Sequence, residues 1–247
     1  MTRHITQYLS KRDPVLAGLI KAAGPYRLVP QLECSLFRAL AHAIAHQQLH
    51  ANAANAILKR FIAACCDGDF PSAAEVLAAP QRKLRKAGFS LAKIAALKDL
   101  AAKTLAGVVP ERTLLNDVED TAIIERITQV RGIGRWTVEM MLMFQLGRPD
   151  VLPVDDFGVR SGFRLAYGLK KMPAPRALLA YGERWRPHRS AAAWYLWRAV
   201  DLARDGELPP PAERIRLPSV KRRKARRQSG NAGKRGGARA TTRASAS

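Results

Sequence analysis

The chain has 247 residues, 47% of them hydrophobic, enough for one large domain or two small lobes around a real apolar core. Its 42 Lys and Arg stand against 20 Asp and Glu, a net charge of +22. Solubility does not require that imbalance and a polyanionic partner explains it, nucleic acid being the commonest. No apolar run reaches the ~18 residues of a membrane span, and Met1 to Asp13 has no apolar core of a signal peptide. Cys34, Cys65 and Cys66 lack the C-x-x-C spacing of a zinc ribbon or an iron–sulfur cluster. They are expected to be reduced thiols in a cytoplasmic, nucleoid-associated protein.

Helices are predicted nearly throughout. Asp13 and Pro14 form an N-cap and first turn that open a helix to about Ala23, ended by Gly24-Pro25. Glu33 to Ala45 carries Leu36, Phe37, Leu40 and Ile44 on one helical stripe, His46 to His50 interrupts it, and Ala51 to Cys66 resumes. Short helices follow over Ser72–Ala79 and Gln81–Ala87, then a longer one over Leu91–Leu105 behind a Ser90 cap. Gly107 to Asn116 reads as a loop. A helix from Asp120 or Thr121 to Val130 leads into Arg131-Gly132-Ile133-Gly134-Arg135, and the next runs from Trp136 to about Leu146. After a proline-containing loop to Val154, Asp155 or Asp156 caps a helix to about Tyr167, with two more over Ala174–Trp185 and His188–Arg204. The count is about ten helices and no sheet, an all-α body over residues 1–217. From Pro218 to Ser247 there are ten Lys and Arg and no acid, so that stretch is predicted to be a disordered basic tail. The remaining +12 lies on the folded part.

The segment from Ile123 to Phe144 is the most informative. Gly132 and Gly134 permit a tight turn between two helices, with Ile133 plugging the gap. Backbone N–H groups at the start of the second helix then bind an anion, aided by Arg131 and Arg135. On DNA such a turn grips the backbone and reads no sequence. Taken alone, the same pattern also fits an ordinary helix–turn–helix corner.

Val130 to Val138 (V-R-G-I-G-R-W-T-V) followed by Leu152 to Phe157 (L-P-V-D-D-F) resembles the helix-hairpin-helix DNA glycosylases, in particular the 3-methyladenine DNA glycosylase II branch. The segments A-I-A-H-Q-Q-L-H from Ala43, L-R-K-A-G-F-S-L-A-K from Leu84 and E-R-W-R-P-H-R-S-A from Glu183 agree with it, in order, across roughly residues 30 to 205. The resemblance implies a two-lobed helical fold with the hairpin and a catalytic carboxylate at the mouth of a cleft. It assigns that carboxylate to Asp156 and makes Asp155 its structural neighbour and N-cap. It implies Trp136 and Trp197 as walls of a base pocket. Gln47, Gln48, Gly132, Ile133, Gly134, Arg135 and Thr137 are implied as DNA contacts, with Gln48 as the wedge that fills the gap left by a flipped base. His46 and His50 depart from the pattern, standing where relatives often have Gly and Ser. Trp185 and Trp194 are assigned to the core.

A carboxylate beside the sugar stabilises positive charge as an N-glycosidic bond breaks. An Asp before a helix is more commonly only a cap, so the family spacing carries this assignment. In the similar endonuclease III branch a lysine directly follows the hairpin. Trp136 stands there here, so strand cleavage through a Schiff base is not expected. An electron-rich indole favours a cationic alkylated purine. His42, His46 and His50 would align on one helix face, but the loop breaks that helix and no carboxylate is near in sequence, so no metal site is assigned. A monovalent cation at the hairpin carbonyls is implied by the resemblance alone. The expected partner is double-stranded DNA carrying damaged bases, bound by a monomer. The alternatives are a non-catalytic DNA-binding protein and a glycosylase/lyase for other damaged bases.

Overall fold

Ahead of Asp13, where the sequence reading assigns no element, the chain forms a helix, α1 (Thr2–Arg12). Ile5, Tyr8 and Leu9 share its inner face, and Leu9 is fully buried. The computed structural model describes residues 2–65, 70–213, 215 and 217. Cys66 and the basic tail from 218 to 247 lie outside the described residues.

Twelve α-helices and two short 3-10 turns make up the described residues, with no strand among them. After α1 come α2 (Pro14–Ala23), α3 (Leu36–His46), α4 (Ala51–Cys65), α5 (Ala73–Ala78), α6 (Gln81–Ala87) and α7 (Leu91–Leu105). Then follow α8 (Asp120–Ile127), α9 (Arg135–Phe144), α10 (Phe157–Ala166), α11 (Pro175–Gly182) and α12 (Arg189–Asp205). Serine caps set several of these starts. Ser35, Ser72 and Ser90 each accept from a backbone N–H of the first turn, and Ser72 forms a reciprocal capping box with Glu75. The expected loop over 107–116 contains a 3-10 turn, Arg112–Leu115, and the helix expected to reach Trp185 ends as α11 and a 3-10 turn, Glu183–Trp185.

The helices sort into two lobes. One is built from α3 packed on α4 and α7, with α5 and α6 against α7 or α4. The other joins the two ends of the chain: α1 packs on α2, α2 on α12, and α12 on α10. Helix α9 connects them, pairing with α8 and touching α3. Where α10 crosses α12 the backbones nearly meet, and a Cβ on Gly162 would lie 1.8 Å from the carbonyl oxygen of Leu196. Only glycine allows that approach.

The second lobe has an aromatic core, in which the Phe163 and Tyr167 rings stack at 4.1 Å beside Tyr181 and Trp185. Trp185 is fully buried as expected, whereas Trp194 is half-buried, edge-on to Tyr26 and Tyr195. Asp13 sits beneath this core, fully buried. Its carboxylate caps α2 through Val15 N and Leu16 N, and also accepts from the Tyr167 hydroxyl at 2.6 Å and Trp185 Nε1 at 2.9 Å. Burial, then the charge of Asp13, push the Tyr167 phenol well up, so it stays a donor. One side chain thus ties the start of the chain to residues 154 and 172 positions later. Replacing Asp13 with Ala strands two buried donors and uncaps α2; a loss of about 3 kcal/mol in urea unfolding is expected.

Candidate active site

The hairpin links α8 to α9. Gly132 takes φ of +78°, a left-handed conformation that a side chain would strain. Ile133 is buried between the helices, as its place between two glycines predicts. Gly134 caps α9 without any side-chain acceptor, leaving first-turn N–H groups for an external anion. The turn is braced from behind by Asp99 of α7, which accepts from Arg131 N at 2.7 Å and from Lys103 Nζ at 2.8 Å. Arg135 is largely exposed and gives its Nε to Glu139 Oε1 at 2.8 Å, so its remaining N–H groups face outward. Glu139 is buried, and that burial pushes its carboxyl above the usual range, an effect Arg135 partly offsets.

Asp156 stands where the second lobe meets α9. It is itself the N-cap of α10, taking Val159 N on Oδ1 at 2.7 Å. Asp155, expected to supply the cap, is exposed instead. Capping does not exhaust the carboxylate, because it also accepts from Trp197 Nε1 on Oδ1 and from Trp136 Nε1 on Oδ2, each at 2.8 Å. An ionised carboxylate has about four lone-pair sites, and three are filled here by neutral N–H donors. Trp136 is 48% exposed; Trp197 is half-buried and stacked on Phe144 at 5.9 Å. The approach of α12 needs Gly158, since a Cβ there would lie 2.8 Å from Trp197 Cδ1 and 3.1 Å from Asp156 Oδ1. The sequence reading did not single out Gly158; a glycine two residues after the carboxylate was its only signal.

The loop that delivers Asp156 is pinned to the start of α12. Asp150 accepts from Arg189 Nε at 2.8 Å and Arg186 Nη1 at 2.7 Å, while Ser190 Oγ bridges Arg148 O and Val151 N at 2.7 and 3.0 Å. The R-W-x-P-x-R-S segment therefore acts as a clamp on residues 148–151.

Gln47 and Gln48 follow the end of α3. Gln47 Nε2 donates to Gly132 O at 2.8 Å, fastening this loop to the hairpin. Gln48 is exposed with φ of +56°, left-handed and costly for a residue with a side chain. Lys93 Nζ closes the end of α3 on Ala45 O at 2.7 Å. Between loop, hairpin and α7 lies a cavity of about 760 Å³ lined by His46, Gln47, Gln48, Lys93, Trp136 and Met140 among others, within the usual size of small-ligand pockets. Trp136 belongs to both features, lining the cavity and bonding Asp156 through its N–H. Thr137 is buried against the same wall and lines the cavity. His46 and Met140 were not expected as lining.

His42 and His46 stack at 6.4 Å on α3, but α3 ends at His46 and His50 leaves their face. No group of three or more His, Cys, Asp or Glu among the described residues could hold a metal ion. Burial, then Arg38 and His46, lower the His42 imidazole below its ordinary value, and its Nε2 is buried without a partner among the described residues.

An all-helical, two-lobed body with this hairpin and carboxylate belongs to the class of helix-hairpin-helix DNA glycosylases. The family model described as HhH-GPD superfamily base excision DNA repair protein matches residues 41–187, and the chain belongs to that superfamily. It is similar to DNA-3-methyladenine glycosylase 1 of Schizosaccharomyces pombe, with 41% identity over 79% of this chain and 86% of that protein. The solved structure of the S. pombe 3-methyladenine DNA glycosylase in complex with abasic DNA matches with a TM-score of 0.73 at 40% identity, over 81% of this chain and 98% of that one. A DNA-3-methyladenine glycosidase from Bacillus halodurans matches with a TM-score of 0.75 at 31% identity, over 81% of this chain and 91% of that one.

Two outcomes check this geometry. Gly158→Ala should push Trp197 off Asp156, changing indole fluorescence and near-ultraviolet circular dichroism while far-ultraviolet helicity is kept. His42, with its folded value below its unfolded one, contributes stability that is full above the ordinary imidazole range and is lost as pH falls through the lowered value. His42→Gln should flatten that acid-side decline in thermal unfolding.

Proposed function

We propose that this protein removes alkylated purines from double-stranded DNA by hydrolysing the N-glycosidic bond, as a monomeric, monofunctional glycosylase. The observation that supports the reading most is the Asp156 carboxylate fixed by two indole N–H groups, one of which fronts a cavity of nucleobase size. A purine methylated at N3 or N7 is cationic and leaves readily. The C1′–N bond breaks with both electrons going to the base, which departs neutral. Positive charge grows on the sugar, and Asp156 stabilises it electrostatically. Water adds its oxygen to C1′ and releases a proton, leaving an abasic site. The fourth lone-pair site of Asp156 is free to orient that water.

Trp136 and Trp197 would offer ring faces to the cationic base, and Gln48 would enter the stack where the base has left it. Gln47, Gly132, Ile133, Gly134, Arg135 and Thr137 would hold the phosphates beside it. Carbonyls of the hairpin keep second lone pairs that would suit a monovalent cation offsetting phosphate charge; it performs no step. The lysine of lyase-type relatives is replaced by Trp136, and the amine of Lys93 is engaged on Ala45 O. The names of the relatives, 3-methyladenine glycosylases in yeast and bacteria, point to the same substrate class.

The test is release of free base from methylated duplex DNA under single turnover. Asp156→Asn keeps an N-cap of equal quality and should lower the rate by roughly 10²–10³-fold with affinity for the duplex retained. Undiminished release would remove Asp156 from the mechanism. No release by the unaltered protein, with tight binding, would leave a DNA-gripping scaffold. Borohydride should trap no covalent adduct; a trapped adduct would instead establish a lyase.

A further inference from the structure

The first lobe carries a charge pattern that the site does not use. Residues 34–65 and 76–98 contain nine Lys and Arg and no Asp or Glu. Four of the nine are spent on backbone carbonyls: Arg60 on Ala87 O, Arg85 on Phe89 O, Lys93 on Ala45 O and Lys98 on Leu77 O. Arg38 lies over the Phe70 ring. The other four, Lys59, Arg82, Lys83 and Lys86, are exposed and make no ion pair or side-chain hydrogen bond among the described residues.

These four sit on two helices packed together, α4 and α6. Helix α6 holds four cations in seven residues, with Arg82 and Lys86 at i, i+4, where like charges repel. One acid would relieve it and none is present. A helix whose sequence opposes its own stability is the local conflict expected of a functional surface. Its position is equally specific. Helix α4 begins directly after the Gln47–Gln48 loop, and α6 leads through Gly88 to Ser90, which lines the same cavity as Gln48 and Trp136. Lys59 lies about 12 Å along α4 from Ala51, a span that faces several phosphates of a duplex.

We propose that the α4–α6 face is a second phosphate-tracking surface, which holds duplex DNA beyond the nucleotide in the cavity, on the opposite lobe from most of the hairpin. It deepens the DNA-glycosylase reading and rests on DNA being the partner, but not on which base is excised.

The test uses the full chain with Lys59, Arg82, Lys83 and Lys86 all changed to Gln. Binding to an undamaged duplex of about 24 bp should show a salt dependence, as log K against log salt, shallower by about 3 to 4, since each lost phosphate contact removes about 0.9. The charge-preserving control, K59R/R82K/K83R/K86R, should keep the original slope, and the melting temperature of the Gln variant should not fall. Single-turnover excision at saturating enzyme should be unchanged. An unchanged slope would overturn the proposal and make the face an ordinary solvated one. So would a retained slope accompanied by lost binding to vesicles containing phosphatidylserine, which would mark a lipid surface. Should the unaltered protein excise no alkylpurine while the slope still falls, the substrate reading fails and the tracking surface stands.

Discussion

Everything in the site depends on how one negative charge is held. Asp156 is fixed by three donors from three places: a backbone N–H of α10, the indole of α9 and the indole of α12. All three donors are neutral. An arginine or lysine would hold the carboxylate as firmly but would cancel the field it would exert on a sugar cation developing beside it. Indole N–H groups fix position without cancelling charge, and the α10 N-terminus favours the anion through its dipole. Cap and candidate catalyst are therefore one arrangement, not competing fates of the residue.

That arrangement explains much of the second lobe. Trp197 reaches Asp156 only because Gly158 leaves room for its ring, and α12 lies close enough only because Gly162 admits the Leu196 carbonyl. The Asp150–Arg189–Ser190 clamp sets the loop before the carboxylate, while buried Asp13 fixes α2 and the end of α10 from below. On the other side, Gln47 binds the loop of the first lobe to Gly132. The two lobes meet at the hairpin, and the cavity lies between fixed walls.

The all-helical class and most element positions were legible because caps and stripes are local signals. Ser90 with Leu91–Leu105 and Gln81–Ala87 came out residue for residue. Helix α1 was not, since its polar composition hides a stripe of only Ile5, Tyr8 and Leu9. The hairpin glycines could be read from their spacing. The placing of Asp156 over Asp155 came from family spacing, and the structure adds that Asp156 is also the cap. Gly158, Met140 and the Asp150 clamp were illegible, because each matters only through a contact made by a distant segment.

Charge is divided in the same way as geometry. A net +22 draws a polyanion toward the protein, yet the carboxylate at the centre repels phosphates. The two are compatible because they act at different ranges. Cations spread over a surface act over about a Debye length, roughly 8–10 Å in physiological salt. Asp156 would act across a contact in a site from which a seated nucleotide would exclude water, where the same charge is far stronger. Of the acids nearby in the sequence, Glu139 is paired with Arg135 and Asp155 faces solvent. The Asp156 carboxylate, held by neutral N–H donors, thus keeps its negative charge where positive charge would appear.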